Sequence, residues 1–84
     1  MEEVLTIRQY LRTLDKITLD KLFKISELSE DEYWLCRYAF IEKRMRENIC
    51  AKLNIRTTKY HSVLNCALIK LNYTIKNLDK IRTL

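Results

Sequence analysis

The 84-residue chain contains no glycine and no proline. Tight β-hairpin turns and all-β folds rich in reverse turns depend on those two residues, so their absence excludes both. What remains is an all-α fold, a small helical domain of four to five helices joined by short connections. Loops that cradle phosphate also need glycine, which removes the dinucleotide-binding and P-loop classes. Histidine is nearly missing: His61 stands alone, with no carboxylate three or four residues along and no cysteine within its turn. No catalytic constellation is present, so the chain reads as a non-enzyme without cofactor or metal. The three cysteines, Cys36, Cys50 and Cys66, have no metal-ligand spacing, and an odd number does not make a disulfide framework. A reducing compartment, the cytoplasm, is the expected setting. No stretch reads as a signal peptide, and no apolar run approaches the ~20 residues of a membrane helix.

Acidic residues are scarce in one region only. Residues 1–28 hold five basic and five acidic side chains, and residues 29–55 again five of each. From residue 56 onward there are Arg56, Lys59, Lys70, Lys76, Lys80 and Arg82 against the single Asp79, so this segment carries the whole formal charge of +5. A localised positive field suits a polyanion; a basic tail kept for solubility is the bland alternative.

The hydrophobic pattern is helical throughout. Val4, Ile7, Leu11 and Leu14 recur at helical spacing and predict a first helix over 3–16, with Arg8, Arg12 and Lys16 on its other side. Thr18 can cap a short helix over 19–26 carrying Leu19, Leu22, Phe23 and Ile25. Ser29-Glu30-Asp31-Glu32 is a capping box opening a helix that runs to about 42. That helix is apolar on nearly every side, and its aromatics, Tyr33, Trp34, Tyr38 and Phe40, read better as core than as a stacking platform for single strands. Glu42 to Arg46 connects onward, with Met45 expected in the core and Lys43, Arg44 and Arg46 placed either as backbone contacts to a nucleic acid or as solvated loop charges.

The stretch 46–71 organises the rest. Ile49, Cys50 and Leu53 make one helical stripe; Asn54, which tolerates the left-handed conformation, ends it, and Ile55 anchors the turn. Tyr60, Leu64, Ala67, Leu68 and Leu71 form the inner face of a second helix, opposite Thr58, Lys59, Ser62 and Asn65, with Thr57 and His61 on the flanks. Two helices around a tight turn, the second with a small-polar outer face, are the plan of a helix-turn-helix. The seam continues through Ile75, Leu78 and Ile81, so one helix is expected over about 57–82. Its distal edge, with Ile69 and Tyr73, needs cover from the first helix or from a second copy.

The same residues carry a resemblance. Ile49-Cys50-x-x-Leu53-Asn54-Ile55, then Thr58-Lys59-Tyr60, then Ala67-Leu68-x-x-Leu71 resembles the region-4 helix-turn-helix of sigma factors, and more closely the ArpU family of phage late-gene regulators. Val63 and Cys66 stand where the sigma pattern has basic residues. The resemblance implies a transcriptional regulator of phage, prophage or mobile-element setting that binds double-stranded DNA. Its contacts would be Arg44, Arg46, Arg56, Thr57, Thr58, Lys59, His61, Ser62, Asn65 and Lys70. The expected organisation is a single domain over 1–84: a helical extension over 1–28, a trihelical core over 29–71 and the continuing last helix over 72–84. A homodimer through the first and last helices is expected. The rival expectation is a protein-interaction module on the same scaffold, docking on RNA polymerase or inhibiting a host defence or nucleic-acid enzyme, without DNA binding of its own.

Overall fold

The computed structural model describes the backbone over residues 2–83 and side chains over residues 7–77. Helices fill it: α1 (Glu2–Arg12), α2 (Lys16–Ile25), α3 (Glu30–Cys36) running into a π-helical turn (Arg37–Ile41), α4 (Arg46–Leu53) and α5 (Thr57–Thr83). There is no strand among the described residues. The 27 residues of α5 span roughly 40 Å at 1.5 Å per residue, which accounts for the molecule's 43 Å long axis. The other four helices pack along it.

Two of the first boundaries differ from the sequence expectation, each for a local reason. Helix α1 stops at Arg12, where Thr13 N–H and Leu14 N–H bond back to Tyr10 O and Leu11 O and tighten its last turn. Asp15, not Thr18, caps α2: its Oδ1 accepts from Thr18 N–H at 3.1 Å, so the helix begins three residues earlier than expected. Ile25 is 55% exposed rather than part of the core. The capping box of α3 is present in both directions, Glu32 N–H to Ser29 Oγ at 3.3 Å and Ser29 N–H to Glu32 Oε1 at 2.7 Å.

The core runs under every helix. Leu11, Leu35, Ile49, Leu68 and Leu71 are wholly buried, with Phe23 and Cys36 beside them. In α3 it is Leu35 and Cys36 that face inward, while the aromatics ring its outer side, Trp34 38% exposed and Tyr33 and Tyr38 half-buried. Tyr33, Tyr38 and Phe40 still pack against the core from its edge, so the expectation of core for this cluster is corrected for Trp34 alone. Ile41 falls about 140° from Cys36 on an ideal helix at 100° per residue. The π turn, closed by Glu42 N–H to Arg37 O at 3.0 Å, widens the helix and returns Ile41 to the core side. Met45, expected inside, is 74% exposed because the loop before α4 carries it outward. Val63, which stands where the sigma pattern has a basic residue, is buried. Helix α1 covers α5 through Ile7 and Leu11, so the same chain supplies cover along the described part of the seam. Val4, Leu78 and Ile81 lie outside the described side chains.

A chain without glycine must still reverse direction. Glu27, Lys43 and Asn54 do so with φ of 56°, 54° and 55°, in the left-handed region.

Candidate nucleic-acid interface

The candidate interface lies on the corner between α4 and α5. Ile55 N–H bonds to Cys50 O at 3.0 Å and Asn54 N–H to Ala51 O at 3.3 Å, the two bonds of a Schellman closure with Asn54 in the left-handed position. Ile55 packs against the core and locks the turn. The carbonyl of Arg56 then accepts from Tyr60 N–H at 2.9 Å, starting α5 at once. Three residues thus separate the helices, and the outer surface of α5 is set by how its inner face is buried. Tyr60, Val63, Leu64, Ala67, Leu68 and Leu71 go inward.

What goes outward is Thr57, Thr58, Lys59, His61, Ser62 and Asn65, all exposed, with Arg56 exposed at the entry. Asn54, Arg56, Thr58, Lys59 and Ser62 rim a shallow concavity of about 540 Å³ over the turn. The polar stretch 57–65 is about 13 Å long at helical rise. With Arg56 it offers seven donor or acceptor side chains and no acid, and α5 has no acid before Asp79. None of Arg56, Lys59, Ser62 or Asn65 makes a side-chain bond or ion pair among the described residues. His61 meets the edge of the Tyr60 ring at 5.5 Å between centroids. Burial pushes the Tyr60 hydroxyl above its ordinary pKa, so this inward ring stays neutral.

The remaining residues named from the sequence are distributed differently. Arg46 opens α4, exposed, 3.6 Å from Glu47. Arg44 is occupied: it donates to Glu42 Oε1 at 2.7 Å and to Asn48 Oδ1 at 2.9 Å, and its guanidinium lies over the Tyr38 ring. Lys70 stands apart from the polar face, its ammonium 2.6 Å from Glu32 Oε1. Burial alone would raise the Glu32 carboxyl, but the bonds from Lys70 and from Ser29 N–H outweigh it and hold its pKa below the ordinary value.

Past Asn65 the same outer face changes character. Cys66 is exposed, Ile69 is 64% and Tyr73 70% exposed. A second surface is the Trp34–Tyr38 ring pair with Arg37, Arg44 and Lys52 set against it; the sequence expectation weighs those rings as a stacking platform, prefers core, and does not place the three cations beside them. The signal was the i, i+4 spacing of Trp34 and Tyr38 and of Tyr33 and Arg37, which puts each pair on one side of a helix. Burial raises the Cys36 thiol to about 12, which keeps it protonated. No group of three or more metal-ligating side chains occurs among the described residues.

Comparison with family models, curated proteins and solved structures gives no match.

Proposed function

We propose that this chain is a helix-turn-helix protein that binds double-stranded DNA and regulates transcription, in the phage or mobile-element setting that its resemblance to the ArpU regulators implies. One observation carries the reading: the first nine residues of α5 present an unpartnered, acid-free row of small polar and basic side chains directly opposite their buried face. A major groove about 12 Å wide admits a helix presented in this way. In that pose Asn65 pairs with adenine through its amide, and Thr57, Thr58, His61 and Ser62 face base edges or phosphates. Arg56 and Lys59 neutralise phosphate at the N-terminal end of α5, where the helix dipole adds to their field. Arg46, at the start of α4, takes the backbone position of the first helix of the motif. A homodimer would place two such helices on neighbouring half-sites.

The test is selection of the full chain against a random duplex library, read by sequencing. A recovered motif, repeated with inverted symmetry if the chain dimerises, is the expected result; no enrichment over the starting library overturns the reading.

A second reading is favoured by Ile69 and Tyr73, the apolar continuation of the same outer face, with Ile25 of α2 beside them. Here the chain docks on a protein, such as RNA polymerase or a nucleic-acid enzyme, and does not itself hold DNA. Copurification of a stoichiometric partner lost in Tyr73→Ser, together with failure of the duplex selection, would favour it.

A further inference from the structure

Away from the α4–α5 corner, a cavity of about 700 Å³ opens between α1, the start of α2, the π turn and the inner side of α5. Five cations line it, Arg8, Arg12, Lys16, Lys43 and Arg44, against one carboxylate, Asp15. Asp15 is already used, since its Oδ1 caps α2. Arg44 is already neutralised by Glu42. The other four cations have no carboxylate partner among the described residues. Arg8 Nε is moreover shut off from solvent and donates to nothing. A buried guanidinium donor without an acceptor is costly and rare, and Arg8 is one of the side chains that line the cavity. Lys43 reaches this wall from the left-handed position that closes the helix before it, with φ 54°.

The cavity is not purely polar. Leu14, Ala39 and Phe40, each half-buried, complete its walls. Its volume lies within the roughly 300–1,000 Å³ of small-ligand sites. A DNA duplex is stiff over about 150 base pairs, so its phosphates would meet the rim and not enter the cavity. A small, multiply charged anion with an apolar or aromatic body fits charge and walls together. We propose that this cavity binds a small polyphosphate carrying an aromatic body, the nucleoside di- and triphosphates being the fitting chemical class. The site stands independently of whether α5 reads DNA.

Calorimetric titration of the full chain with ATP, pyrophosphate and adenosine tests it, with an NMR readout of the Arg8 Nε–Hε resonance. Saturable ATP binding, tighter than pyrophosphate, with adenosine inert and the Arg8 resonance shifted, is expected. The solvent-side pair Lys16→Ala with Lys43→Ala should weaken ATP about tenfold or more. Lys24→Ala with Lys52→Ala, outside the cavity, should leave ATP binding unchanged. Failure of both ATP and pyrophosphate to bind, equal losses in the two double variants, or an Arg8 resonance that moves only with a DNA duplex would each overturn the proposal. ATP binding no tighter than pyrophosphate would overturn the aromatic body.

Discussion

The molecule contains two helix–helix corners of similar plan, α2 to α3 and α4 to α5, and they treat their polar groups in opposite ways. Each reverses through a non-glycine residue at positive φ, Glu27 in one and Asn54 in the other. At the first corner the side chains answer one another. Asp20 accepts from Tyr33 at 2.7 Å and pairs with Lys24 at 3.0 Å and Arg37 at 3.3 Å. Ser26 donates to Leu22 O at 2.6 Å, and Glu32 closes both the capping box and the bond to Lys70. At the second corner the backbone is closed just as fully, but Arg56, Thr58, Lys59 and Ser62 point outward with no partner among the described residues. A corner that satisfies itself serves the fold. One that closes its backbone and leaves its side chains unspent has them available for a ligand. Net charge does not reveal the difference, because a paired lysine and an unpaired one count alike.

The largest expected effect comes from the floor both corners rest on: Leu64→Ala should cost about 2–5 kcal/mol in chemical denaturation. Next, Glu32→Ala should cost about 1–3 kcal/mol, since it removes one half of a capping box and one buried partner of Lys70. Glu32 also sets a pH dependence. Its folded pKa lies below the unfolded value, so its contribution is present above the ordinary carboxylate range and disappears as pH falls through the folded value. Asp20 and Asp15 are shifted the same way, by the Tyr33 hydroxyl and by the bonds from Thr18 respectively. Acid titration of stability should therefore be shallower in Glu32→Gln than in the wild type.

At the second corner the pattern should invert. Asn65→Ala should leave stability within about 0.5 kcal/mol and weaken preference for a selected duplex by about 1–3 kcal/mol. A loss of stability there, with binding intact, would erase the distinction. The smallest effect concerns the turns: Glu27→Gly should stabilise by up to about 1 kcal/mol by relieving positive φ, and Asn54→Gly by less, because Asn accepts that conformation more readily.

Much of this was readable from residues alone because it is local. The Ser29 to Glu32 capping box needs only four neighbours, and the inner face of α5 needs only a helical period. Asp15 and Thr18 are both competent caps three residues apart, and the bond between them makes Asp15 the cap and Thr18 the donor, a choice made by geometry. The π turn follows from where Cys36 and Ile41 must both be buried, which depends on the surrounding helices. The bond between Glu32 and Lys70 spans 38 residues, beyond any spacing argument. On the candidate site, the division of α5 into inner and outer faces was legible, whereas Arg44 being held by Glu42 and Asn48 depends on how the loop through Lys43 folds.

The most direct test of the second corner is the salt dependence of duplex affinity for the wild type and for Arg56→Ala, Lys59→Ala and Lys24→Ala. The plot of log affinity against log salt should fall steeply for the wild type. Its slope should shrink by about one unit in each of the first two variants and stay unchanged in the third. Duplex affinity indifferent to salt, or equally affected by the paired Lys24 and the unpaired Lys59, would contradict it.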